Sequence, residues 1–375
     1  MVNQKIKRTI NYVIAFALAA VILCGSAAGI TAFIRAARIS ARADVKPSGT
    51  YKNVILMIGD GMGFNHVKCG AAYNDAMSLE MQNLAVQSTS VRTYSTSLFY
   101  PTDSAAAATA LSTGKKTDNK CVSRYKGKDI TTNAERAKQK EMAVGIIATE
   151  GVKGATPAAF SSHANGRGDD EDIFDGQLKS NIDLFFGGAR NYYDPLKERI
   201  TNAGYEYLNE LKDLSEIKKP LWGAFDIKTL STDNGDENKP TLSEISLAAI
   251  DFLSARSENG FFLMIEESHI DKRSHSNNMN SMVRHLTAYD RAIAAVVNKA
   301  NELGDTLVIA TADHETGFLS YNGEKKSELN DSMFKNGGHS SRKVPCFFYS
   351  YVGKIPSVID NTQIADVCRY YISNR

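Results

Sequence analysis

An α/β fold is what the sequence predicts: a three-layer sandwich in which a central, mainly parallel sheet is covered by helices on both faces. Three observations carry that expectation. Continuous apolar runs of strand length recur, as in NVILMI (53–58), AVGIIA (143–148), FFLMI (261–265) and TLVIA (306–310), and such runs mark strands buried on both faces. Stretches with helical apolar spacing alternate with them, among them Leu242–Ser254 and Met282–Leu303. Acidic residues and glycine-rich turns follow the runs directly, at the carboxyl ends of strands where open α/β sheets bind ligands.

Taken in order, residues 1–43 differ from the rest. Lys5, Lys7 and Arg8 precede an uncharged apolar run from Ile10 to Ile34, long enough to span a bilayer and too long for a typical signal-peptide core. The expectation is a cytoplasmic stub and an N-terminal transmembrane helix, with the remainder outside the cytoplasm at the cell surface or in the periplasm. Ala41-Arg42-Ala43 resembles a cleavage site, and cleavage there would give a secreted protein. Residues 44–52, with Pro47, Ser48 and Gly49, read as a linker, and 53–375 as one folded domain. Across 375 residues the formal net charge is +2 with no dominating basic tract, which argues against a nucleic-acid partner. Cys69, Cys121, Cys346 and Cys368 show no metal-finger spacing, and both disulfides and free thiols remain open.

The first strand, Asn53–Ile58, runs into Gly59-Asp60-Gly61-Met62-Gly63, so Asp60 stands at its carboxyl end. Next comes an alanine-rich helix opening at Ser104, capped by Thr102 or Asp103 and stopped by Gly114. Its first turn offers unpaired N–H groups and a positive dipole end to a phosphate-like anion. Ala143–Ala148 leads through Gly151 and Gly154 to Thr156-Pro157, and Ile182–Phe186 closes on Gly187-Gly188. Ser231–Lys239 reads as an exposed loop. Phe261–Ile265 ends on Glu266, with Asp271 and His275 close behind; Thr306–Ala310 ends on Asp313-His314; Val344–Tyr349 is preceded by His339.

One acidic residue after one strand usually caps the next helix. Three strands that each deliver such groups to one edge suggest a site instead. Mixed carboxylates and imidazoles suit Zn²⁺, and an all-oxygen set suits Mg²⁺. A serine hydroxyl is a poor nucleophile without a base or a metal. Two metal ions about 4 Å apart would supply what Ser104 lacks for an in-line phosphoryl displacement. Arg167 can fork onto two phosphate oxygens, or can simply be a surface arginine beside the acidic run Asp169–Asp172.

Together these segments resemble the alkaline phosphatase family over about Asn53–Tyr349. The resemblance lies in NVILMIGDGMG, TDSAAAATALSTGKKT, ATPAAF followed by His163 and Arg167, IDLFFGGAR, FFLMIEESHIDKRSH, TLVIATADHETG and GGHSS. It implies hydrolysis of phosphate monoesters to alcohol and inorganic phosphate through a phosphoserine on Ser104, with two zinc ions and one magnesium ion. It further implies that Asp60 bridges one zinc and the magnesium, and that Asp313 and His314 complete that zinc site. Asp271, His275 and His339 then resemble the ligands of the other zinc, Thr156 and Glu266 those of magnesium, and Ser104 itself would also contact metal. Arg167 and Lys272 would hold phosphate, and Asp103 would position Ser104 and Arg167.

Three departures from the family pattern stand out. Gly154 replaces an aspartate or histidine near the magnesium, Pro101 replaces an aliphatic residue, and Glu315–Gly338 is short where relatives build a crown, so the crown region is reduced. The family's homodimer is a further expectation. His66, His163, His269 and His285 match no ligand position and read as structural or surface residues. Two other readings share this sequence: a phosphodiesterase or sulfatase of the same superfamily, and a catalytically inactive surface binding protein.

Overall fold

Among the described residues ten strands form one sheet, and their order explains where the polar residues end up. The computed structural model describes residues 44–97, 99–225, 240–323 and 325–374. The expected stub and membrane helix (1–43) and the expected loop at 231–239 lie outside the described residues. Among the described residues no helix is long and apolar enough to cross a membrane.

The strands are β1 (Asn53–Gly59), β2 (Gln87–Arg92), β3 (Arg124–Tyr125), β4 (Lys128–Asp129), β5 (Ala143–Ala148), β6 (Leu184–Gly187), β7 (Glu206–Leu208), β8 (Leu221–Ala224), β9 (Phe261–Glu267), β10 (Thr306–Thr311), β11 (Glu315–Thr316), β12 (His339–Ser340), β13 (Val344–Phe348) and β14 (Val358–Asp360). The large sheet runs β14-β2-β13-β10-β1-β9-β5-β6-β8-β7, with β3–β4 and β11–β12 as separate two-stranded ribbons. Its pairings are parallel except at β10–β13 and β13–β2. The apolar runs at β1, β5, β9 and β10 are its centre, and every residue of them is buried. Such strands need cover on both faces. Helices Ser104–Thr113, Asn133–Gln139, Ala155–Ser161 and Asn361–Ser373 pack with one another, as do Phe64–Tyr73, Leu242–Ser254, His269–His275 and Met279–Leu303.

Register brings the strand ends to one level. Ile58 lies opposite both Thr311 and Glu266, and Ala148 opposite Glu266, so Asp60, Thr149, Glu267 and Asp313 leave the sheet side by side. The antiparallel β13 completes the rim. Its amino end lies at the carboxyl end of β10, so the chain entering it, including His339, arrives at that same edge. Between them, Glu315–Gly338 contains β11 and two short 3₁₀ turns, Lys326–Glu328 and Asp331–Met333.

Residues 44–52 lie along the body of the fold: Lys46 bridges to Lys354, Ser48 N donates to the Val352 carbonyl at 3.2 Å, and the Tyr51 and Tyr371 rings meet edge to face. All four described cysteines are thiols. The four unassigned histidines are held internally. His66 Nδ1 accepts from Gly63 N (3.1 Å), its Nε2 meets Ser274 Oγ (3.0 Å), and burial lowers its pKa to about 3, so the ring is neutral. His163 bridges the Ser123 carbonyl and Glu135. His269 and His285 are buried together beneath the rim.

Candidate active site

The Ser104 helix is fixed from below and capped from its side. All ten of its residues are buried, and its alanines let helices Ala155–Ser161 and Asn361–Ser373 approach closely. Of the two expected caps, Asp103 is the one used: its Oδ1 accepts from Ala106 N and Lys120 N, both at 3.0 Å. Gly114, at φ 74°, ends the helix in the left-handed conformation that glycine tolerates. Ser104 Oγ is thereby held at the helix mouth, 3.1 Å from His314 Nε2.

Around that hydroxyl converge two groups of ligand-type atoms. In the first, His314 Nε2 lies 3.4 Å from Asp60 Oδ1 and 3.2 Å from Asp313 Oδ2. Neither carboxylate oxygen has a hydrogen-bond partner, although both are buried. The other oxygen, Asp313 Oδ1, accepts from Gly61 N (3.1 Å) and His314 N (2.8 Å). In the second group, His275 Nε2 lies 3.2 Å from Asp271 Oδ2 and 3.1 Å from His339 Nε2, which is itself 3.6 Å from Asp271 Oδ1. His339 Nδ1 donates to the Thr102 carbonyl at 2.8 Å, and His275 Nδ1 donates to the Gly337 carbonyl. A carbonyl can only accept, so both Nδ1 atoms carry hydrogen and both Nε2 lone pairs face inward, as in metal-ligating histidines. Thr316 Oγ1 steadies Asp271 Oδ1 at 2.5 Å.

The electrostatics make the same point. Burial raises Asp60 well above the usual carboxylate range, with Asp313, Asp271 and Glu266 adding to the rise. Burial also lifts Asp313 to about 6 and Glu266 to about 8. His314 is pushed well down by burial and by His339. Burial would raise Asp271 too, but the His275 hydrogen bond and three imidazoles hold it below the usual range. Carboxylates that repel one another in a buried site, with oxygens left unpaired, fit divalent cations. The residues present therefore fit the metal chemistry expected of them.

The oxygen-rich corner is formed by Thr156 and Glu266. Ser268 Oγ donates to Glu266 Oε2 at 2.8 Å, and the buried Thr156 hydroxyl has no hydrogen-bond partner. Gly154 caps helix Ala155–Ser161 without contributing a side chain. Arg167 and Lys272 are both partly exposed at the rim. Arg167 Nη1 is 3.3 Å from Asp103 Oδ2, and Lys272 Nζ pairs with Glu150. Glu150, Thr316 and the Thr102 and Gly337 carbonyls were not expected from sequence. Glu150 stands two residues beyond β5, at the carboxyl ends where the other groups were sought. A cleft of about 700 Å³ between Lys212, Leu214, Phe252 and Arg256 holds none of these residues.

Gly61 sets how closely the two sides approach. Its φ is +77°, and a Cβ there would come within 2.8 Å of Asp271 Cα and 2.9 Å of Thr316 Oγ1. Gly61→Ala is expected to cost about 1–3 kcal/mol through backbone strain alone. It should also slow turnover on the order of 100-fold by displacing Asp60 from Asp271. Thermal unfolding and p-nitrophenyl phosphate hydrolysis measure the two losses.

Fold and site define an α/β enzyme of hydrolytic type, with a serine hydroxyl set among carboxylates and imidazoles at the carboxyl edge of a mainly parallel sheet. A family model for alkaline phosphatases matches residues 51–367. Alkaline phosphatase 4 of Bacillus subtilis is 32% identical over 333 residues, covering 82% of this chain and 70% of the relative. Alkaline phosphatase 3 of the same organism is 34% identical over 296 residues, covering 72% and 62%. The solved alkaline phosphatase from the Antarctic bacterium TAB5 superimposes with a TM-score of 0.71 at 29% identity, covering 86% of this chain and 99% of that one. A mutant of that enzyme, solved with Mg bound in its M3 site, gives 0.72 at 28%, covering 88% and 99%. The chain belongs to the alkaline phosphatase family.

Proposed function

We propose that this chain hydrolyses phosphate monoesters through a phosphoserine intermediate on Ser104. The observation that carries the reading is the Ser104 hydroxyl, held at a helix N-terminus 3.1 Å from His314 beside the unpaired oxygens of Asp60 and Asp313. Asp60, Asp313 and His314 would hold one zinc ion; Asp271, His275 and His339 the second; Asp60, Thr156 and Glu266 a magnesium ion. Bound cations there supply neutralising charge and lower the pKa of nearby hydroxyl and water oxygens.

The chain's own groups do the rest. Arg167 and the helix N-terminus bind the phosphoryl oxygens, and Asp103, which caps the Ser104 helix and lies 3.3 Å from Arg167 Nη1, holds the guanidinium beside that cap. Lys272, tethered by Glu150, adds positive charge at the entrance. Ser104 Oγ forms the new P–O bond as the ester P–O bond breaks, and the serine's proton leaves with the alcohol. Water then cleaves the phosphoserine, releasing inorganic phosphate and restoring the hydroxyl. Lys5, Lys7 and Arg8 ahead of the apolar run support export with an N-terminal anchor.

Rates on p-nitrophenyl phosphate and bis-p-nitrophenyl phosphate test the substrate class. The monoester should be preferred by on the order of 100-fold or more, since a site lined to bind a dianion loses those contacts when one oxygen is esterified. A preference for the diester would move the chain to the phosphodiesterase reading.

A further inference from the structure

Beneath the rim lies a second gathering of ligand-type atoms that the reaction does not use. Glu267 ends β9 and follows Glu266, so its side chain leaves the opposite face of the strand. His269 opens helix His269–His275, and His285 belongs to the long helix Met279–Leu303. The three side chains come from three different elements and are almost fully enclosed, at 0%, 5% and 3% exposure.

Glu267 Oε1 lies 3.2 Å from His285 Nδ1 and 3.5 Å from His269 Nδ1. With zinc–ligand bonds of about 2.0–2.1 Å, a tetrahedral shell spaces its ligand atoms by roughly 3.4 Å. The two ring planes are 16° from parallel with centroids 4.9 Å apart, so for both Nδ1 lone pairs to meet one ion one ring must turn about its χ2 bond. Thr149 Oγ1 stands 3.2 Å from His269 Nδ1.

Hydrogen bonding alone leaves this cluster incomplete. Glu267 Oε1 accepts from His269 N at 2.9 Å and faces both imidazoles, but Glu267 Oε2, buried, has no hydrogen-bond partner. An unpaired carboxylate oxygen in a closed interior is costly, and a cation removes that cost. Two imidazole nitrogens with one carboxylate favour zinc over magnesium or calcium.

We propose that Glu267, His269 and His285 bind a structural zinc ion, separate from the candidate catalytic ligands. Glu267 Oε2 or a water completes its shell. This ion staples the long helix to the end of β9, one residue from Glu266 and four from Asp271, and so holds both in place.

Counting metal tests this independently of turnover. The full chain, equilibrated in zinc-buffered solution, is measured by elemental analysis beside Glu267→Gln and His285→Phe. Each variant should lose one zinc per chain while circular dichroism stays native. A chain carrying Asp60→Asn, Asp271→Asn, His314→Asn and His339→Asn should retain one zinc, and adding Glu267→Gln should remove it. The zinc-dependent rise in unfolding temperature of that chain should vanish with it. Unchanged zinc content in Glu267→Gln overturns the site, as does a failure of the four-substitution chain to bind zinc. If His285→Phe does not fold, the Glu267→Gln comparison decides alone.

Discussion

Ser104→Ala is expected to reduce p-nitrophenyl phosphate hydrolysis by on the order of 10³-fold or more, close to the rate that positioning and charge alone can sustain. The size of the loss follows from where the residue sits. Ser104 is the hydroxyl placed at once on the helix N-terminus, beside His314, and within the cage of Asp60 and Asp313. Alanine fits the helix at least as well, so the fold and metal content should be unchanged. A second readout separates chemistry from packing: acid quenching during turnover should trap phosphate on Ser104 in the parent chain and on no residue of the variant. Wild-type rates in the alanine variant would end the proposed mechanism.

Metal removal is expected to have an effect of similar size, with activity falling to background in chelator and returning with Zn²⁺ and Mg²⁺. The stripped chain should also acquire a distinctive pH dependence of stability. Burial lifts Asp313 to about 6 and raises Asp60, so each binds its proton more tightly folded than unfolded. Below the unfolded carboxylate range both states are protonated and nothing is lost. As pH rises from about 4 through 6 the unfolded chain ionises first, and folded stability declines. Calorimetry of the stripped chain should therefore show a falling melting temperature over that interval. The metal-loaded chain should not, because cations relieve the repulsion. Full activity in chelator, or no difference between the two profiles, would count against the cation reading.

The strands that carry chemistry were legible because they are buried on both faces. NVILMI, AVGIIA, FFLMI and TLVIA have no polar alternation, and Asp60, Glu266, Asp313 and His314 were found by reading the next few residues after three of them. β2 was not legible: QSTSVR is polar, and it becomes a strand only because β13 and β14 flank it. The three-residue strands β7 and β14 and the four-residue β8 lie toward the two ends of the sheet, where short pieces are stabilised by neighbours rather than by their own composition. The direction of β13 was equally hidden, since apolar content does not distinguish parallel from antiparallel. Partnerships across long separations were the least visible. Lys272 meets Glu150, His339 meets the Thr102 carbonyl, and His285 meets Glu267 only through tertiary structure.

The antiparallel entry into β13 has a consequence for biosynthesis. Asp60 is made early and His339 near the end, and the latter reaches the rim only when the last large-sheet pairings close. Contacts of such high sequence separation form late. A nascent polypeptide that has not yet reached His339 would hold Ser104 without that side of its surroundings. The candidate site is thus complete only once segments far apart in the chain have met at the rim.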